Sequence, residues 1–116
     1  MPHVILQQSN NISNQNSKQL FKQIHQLLAD QLPTKVESCR SRLIITDDYV
    51  VAHDAPNSAF AHLEVTVLAG RTTEVLNATS KLLLDLLNEH LTTENSNLDI
   101  KMSVEIRNLS EHYAHC

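Results

Sequence analysis

A chain of 116 residues with 41% hydrophobic and only 3% aromatic residues has the make-up of one small globular domain, its core built from Leu, Ile, Val and Ala. A net charge of −4 argues against a nucleic-acid binder, which needs a basic face, and no apolar run approaches the roughly 18 residues of a membrane span. Met1-Pro2-His3-Val4 lacks the basic start of a signal peptide, so a cytoplasmic location is expected, with Cys39 and Cys116 as free thiols.

Residues His3 to Gln8 read as a strand, and the Asn-, Ser- and Gln-rich stretch Ser9 to Ser17 as a loop ending in a helix cap. From Lys18 the period lengthens: Leu20, Ile24, Leu27, Leu28 and Gln31 share one side of a helix that Pro33 ends. Ser38 to Asp47 reads as a second strand, with a short extended piece at Tyr49 to Ala52 and a turn around Pro56. Ala59 to Ala69 alternates cleanly, with Ala59, Ala61, Leu63, Val65, Val67 and Ala69 on one side. After Gly70 a helix is predicted from about Thr72 to Leu91, with Val75, Leu76, Leu83, Leu86, Leu87 and His90 as its stripe. Leu98 to Arg107 alternates again, with Ile100, Met102, Val104 and Ile106 inward, and a short tail follows from Asn108.

The plan is therefore strand-helix-strand twice over, in halves of about 2–52 and 59–107 with a tail at 108–116. His3 and His62 stand 59 residues apart at matching places, as an internal duplication requires. The expected fold class is α+β: two βαβ units forming a four-stranded mixed sheet, with two helices on one face. The other face, carrying Arg, Glu, Thr and Lys, is either solvated or packed on another subunit.

Three places have the residue types for chemistry. Pro2 becomes a secondary amine if Met1 is removed, and such an amine can move protons when burial and nearby cations keep it neutral. The plain alternative is a rigid start to an edge strand. Arg40 and Arg42 lie two apart on a strand, so they share a face opposite Cys39, Ser41, Leu43 and Ile45. They suit a bidentate carboxylate, or an ion pair across a subunit contact. In Leu68-Ala69-Gly70-Arg71-Thr72-Thr73-Glu74 the single glycine turns the chain and Arg71 stands beside a helix start. That is an anion site, or an ordinary turn with an exposed Arg. One glycine also excludes a glycine-rich phosphate loop. His112-Tyr113-Ala114-His115-Cys116 holds three potential ligands without standard zinc spacing, and no metal site is expected.

These features together resemble the tautomerase superfamily, and within it the double-length 5-carboxymethyl-2-hydroxymuconate Δ-isomerases. The resemblance covers nearly the whole chain. It rests on Pro2-His3-Val4-Ile5 through Ser9-Asn10-Asn11-Ile12, Leu20-Phe21, Arg40-Ser41-Arg42, Ala59-Phe60-Ala61-His62, Ala69-Gly70-Arg71-Thr72 and Val104-Glu105-Ile106. It implies an isomerase that ketonises 5-carboxymethyl-2-hydroxymuconate in homoprotocatechuate degradation. It further implies Pro2 as general base and then acid, and Arg40 and Arg71 as ligands for the carboxylates and 2-oxygen of a dicarboxylate or tricarboxylate enol. Arg42 matches a neighbouring family position. The same resemblance implies a homotrimer and neither a metal nor an organic cofactor. Two rival readings remain at this stage: a tautomerase of another 2-hydroxy-dienoate or phenylpyruvate-like enol, and a ligand-binding module without chemistry.

Overall fold

Alternating apolar side chains give a strand one dry face, and a helix with an apolar stripe is what covers it. The computed structural model, which describes residues 1–116, realises this with β1 (His3–Ser9), α1 (Ser17–Gln31), a 3₁₀ turn (Val36–Ser38), β2 (Arg40–Thr46), β3 (Ser58–Val67), α2 (Thr73–Glu94) and β4 (Asp99–Asn108). The four strands form one mixed sheet in the order β2-β1-β3-β4. β1 runs parallel to β2 and β3 parallel to β4, while β1 and β3 pair antiparallel at the centre. Each half is thus a βαβ unit, and both helices cover the same face.

The core joins Val4 and Leu6 of β1, Ala59, Ala61, Leu63, Val65 and Val67 of β3, Leu20, Phe21, Ile24 and Leu28 of α1, and Leu83, Leu87 and Leu91 of α2. Ile100, Met102, Val104 and Ile106 of β4 pack against it from one side. The other sheet face carries the odd-numbered residues of β1, the even-numbered ones of β2 and β3, and the odd-numbered ones of β4.

Several expectations are corrected. Tyr49 to Ala52 forms no strand, and its last residue already belongs to a turn: Ala52 and, beyond it, Asp54 have left-handed φ of 50° and 67°. Ile45, on the helix side by register, is 55% exposed, and of its neighbours on that face of β2 it is Leu43 that packs against the core. Gln31 is exposed, and the buried line of α2 is Thr79, Leu83, Leu87 and Leu91, so that Val75 lies outside it. α1 starts without a side-chain cap; Asn16 Nδ2 instead donates to Glu94 Oε1 at 3.3 Å. α2 is capped as its sequence suggests, with the Thr72 hydroxyl accepting from the Val75 amide at 3.2 Å. Gly70 has φ of 125°, where a side chain would be strained.

The Asn-rich loop is fastened to the end of α2. Buried Asn95 accepts from the Ser13 amide and donates to the carbonyls of Ser13 and Leu91, each at 2.8 Å. Buried Gln8 donates to the Ile12 carbonyl and accepts from Asn14, both at 3.0 Å. Asn95→Ala strands the Ser13 amide and carbonyl and lowers unfolding free energy by about 2 kcal/mol or more, measured by urea denaturation.

His25, bonded to Ser41, and His90, bonded to Asn14, are both held below their ordinary proton affinity of 6.5, chiefly by burial. A depressed folded-state value means the unfolded chain binds the proton first, so their contribution is full above pH 6.5 and lost as pH falls below it. Thermal melts therefore shift down on acidification through that range. The double replacement His25→Gln and His90→Gln flattens the shift.

Candidate active site

The register of β1 determines what surrounds Pro2. The Pro2 carbonyl accepts from the Arg40 amide at 3.1 Å, the first rung of the β1–β2 ladder. His3 then stands level with Arg40, and Ile5 with Arg42, all on the helix-free face. On the other side His3 pairs with Thr66, so one step further along Pro2 lies level with Val67. Pro2 itself is buried. It starts a central strand, not an edge strand, so the missing N–H of proline is not explained by an open sheet edge.

Arg71 reaches the same end of the sheet by another route. Its Nη1 donates to the Leu68 carbonyl at 2.7 Å and its Nη2 to the Pro33 carbonyl at 3.5 Å. The guanidinium thus bridges the exit of β3 and the exit of α1. Its Nε is buried and has no partner within the chain. Neither Arg40, Arg42 nor Arg71 is paired with a carboxylate. The four residues singled out in the sequence therefore share one end of the sheet, with their positive charge unneutralised inside the chain.

The electrostatic effect appears at His3. Its proton affinity is lowered by burial first, then by Arg42, Arg40 and the amino terminus. Its Nε2 lies 2.9 Å from the Tyr113 hydroxyl, and the two rings meet edge to face at 5.8 Å. The tail that supplies Tyr113 is therefore folded onto the site corner. The sequence marks His3 only as the counterpart of His62 in the repeat, and Tyr113 only as part of the tail. The one available signal was an aromatic in a chain with two tyrosines.

Cys39, just before Arg40, packs against the core, and burial raises its thiol above the ordinary range, as expected of an unreactive cysteine. Further along the same sheet face His62, Glu64 and Glu105 bring ligand atoms within 4.8 Å of one another, the arrangement that would hold a cation. Arg107 already serves there, 2.7 Å from Glu64 and 3.5 Å from Glu105. His62 also bonds Ser103 at 2.6 Å. The two surface cavities lie elsewhere: one between α1 and α2 beside His90, and one between α2 and β4 beside Met102.

No helix is long and apolar enough to cross a membrane. No curated protein sequence matches the chain significantly. Among solved structures, a 5-carboxymethyl-2-hydroxymuconate isomerase from Deinococcus radiodurans R1 is similar at 26% identity and a TM-score of 0.85, over 99% of this chain and 87% of that one. A second, a 5-carboxymethyl-2-hydroxymuconate delta-isomerase, has 14% identity and a TM-score of 0.79 over 100% and 87%. A fused 4-OT wild-type symmetric trimer shares the fold at 20% identity and a TM-score of 0.72, over 92% and 85%. The model of the family described as 5-carboxymethyl-2-hydroxymuconate isomerase matches residues 2–115. With this match over nearly its whole length, the chain belongs to the 5-carboxymethyl-2-hydroxymuconate isomerase family and is an isomerase.

Proposed function

We propose that the protein ketonises 5-carboxymethyl-2-hydroxymuconate, as in homoprotocatechuate breakdown, with the amine of Pro2 carrying the proton. The observation that supports it best is the gathering of Pro2 with Arg40, Arg42 and Arg71 at one sheet end without a carboxylate to neutralise them. Removal of Met1 turns the Pro2 nitrogen from an amide into a secondary amine. Burial and two neighbouring guanidinium groups disfavour its protonated form, which leaves a lone pair available at rest.

The steps balance simply. The neutral amine takes the proton of the 2-hydroxyl group, breaking the O–H bond. The electron pair moves through the diene and closes the 2-oxo group. The protonated amine then gives its proton to carbon, forming the C–H bond and restoring the base. Arg40 and Arg71 bind the carboxylates and hold the negative charge that develops on the 2-oxygen. Arg42 adds to the field beside them. Three arginines fit an acid with two or three carboxylates better than a phenylpyruvate-like enol, which brings one.

Homotrimeric assembly belongs to the same proposal. Its supports are the polar helix-free sheet face, the exposed Ile44 and Ile45 on β2, and the trimeric form of a fold relative. Another copy placed against this corner would wall off the exposed arginines beside Pro2.

The test follows the ultraviolet loss of the dienol, using protein whose mass confirms removal of Met1. Ketonisation well above the spontaneous rate is expected. Pro2→Ala, again with a free amino terminus, lowers kcat by about a hundredfold or more if Pro2 is the acid–base group; an undiminished rate overturns that role. Arg40→Ala lowers kcat/KM about ten- to a hundredfold for 5-carboxymethyl-2-hydroxymuconate, as loss of a charge-assisted hydrogen bond predicts. It changes turnover of a monocarboxylate enol much less.

A further inference from the structure

The Pro2 corner has a neighbour that the proposed chemistry leaves unused. β4 runs out at Asn108, and the Leu109 amide donates to the Val67 carbonyl at 2.6 Å, which starts the tail level with Pro2. The chain then reverses: the Tyr113 amide donates to the Ser110 carbonyl, and the His112 amide to the Ser110 hydroxyl, both at 3.1 Å. This turn brings the Tyr113 ring back onto β1. It meets His3 edge to face and stacks on His115 at 5.6 Å and 25°. Both rings hold it, and its hydroxyl lies 2.9 Å from His3 Nε2.

We propose that Tyr113 is a specificity-determining residue of this site, its hydroxyl oriented by His3 to donate to an anionic oxygen of the bound enol. The inference deepens the assignment of Pro2, Arg40 and Arg71 above and rests on it. Guanidinium groups attract any anion that reaches the corner. A neutral hydroxyl held on a packed ring is directional, and rewards only an anion whose oxygen sits where the hydroxyl points.

The donor logic follows from the imidazole. Burial and the two arginines disfavour the charged form of His3, so the neutral ring has one N–H and one lone pair. With the proton on Nδ1, the Tyr113 hydroxyl donates to Nε2 and has nothing left to give. With the proton on Nε2, His3 donates to the Tyr113 oxygen and frees the phenolic proton. An anion beside Arg40 and Arg42 favours the second arrangement, so ligand binding and tautomer are coupled.

Tyr113→Phe tests this with the ring and both aromatic contacts kept. KM for the dienol rises about five- to fiftyfold, as expected for loss of one hydrogen bond to a charged group, while kcat stays within about twofold. In parallel, glutarate, a saturated dicarboxylate that cannot isomerise, is titrated while the His3 ring is followed by nuclear magnetic resonance. Glutarate moves the wild-type His3 Nε2 signal toward its protonated-nitrogen position and binds Tyr113→Phe at least about fivefold more weakly. Unchanged KM and glutarate affinity, or a loss confined to kcat, overturns the proposal. An inactive wild type in which Tyr113→Phe still weakens glutarate upholds Tyr113 and removes the isomerase assignment. An inactive wild type that binds no glutarate overturns both.

Discussion

The antiparallel pairing of β1 with β3 is the constraint on which the rest of the molecule depends. It sets Val4 opposite Val65 and Leu6 opposite Leu63, which puts the apolar side chains of both strands under the helices. A slip of one residue would turn Val4 and Leu6 to the polar face and leave the core half empty. The same register carries the exit of β3 to the start of β1. Arg71, reaching the carbonyls of Leu68 and Pro33, is at Pro2's end of the sheet for that reason. The site corner is a by-product of how the two βαβ units are joined.

The polarity of the first half has a structural meaning. Gln8 and Asn95 are buried, and Asn11, Asn14 and Asn16 make side-chain bonds that tie the loop after β1 to β3 and to the end of α2. A loop cannot fill the gap between helix and sheet with apolar groups alone, because its own amides and carbonyls need partners there. Carboxamides supply a donor and an acceptor at once, and Asn95 uses both toward Ser13 as a neighbouring strand would.

Much of this architecture was legible in the residues. The alternation of Ala59 to Val67 and the four-residue spacing of Leu20, Ile24 and Leu28 state their periods plainly, and both helices and all four strands lie where they predict. The association of Pro2 with Arg40 and Arg42 came from the family resemblance rather than from any local pattern. Less legible were features that depend on three-dimensional closure. Nothing local marks Ala52 as left-handed, whereas Asp54 is of a residue type that tolerates that backbone. The buried line of α2 runs from Thr79 through Leu83 and Leu87 to Leu91, and leaves Val75 exposed. The link from Tyr113 to His3 spans 110 residues and has no pattern in the chain to announce it.

The two outer strands of the sheet differ in a way that bears on how this chain behaves alone. Along β4 the solvent face alternates Asp99, Lys101, Glu105 and Arg107, charges already engaged with one another, which discourage a foreign strand from adding there. β2 has no such guard beyond Arg40 and Arg42 at its start: Ile44 and Ile45, one on each face, are 44% and 55% exposed beside unpaired backbone. Of the two sheet edges, β2 is therefore the one less protected against pairing with a strand of another chain.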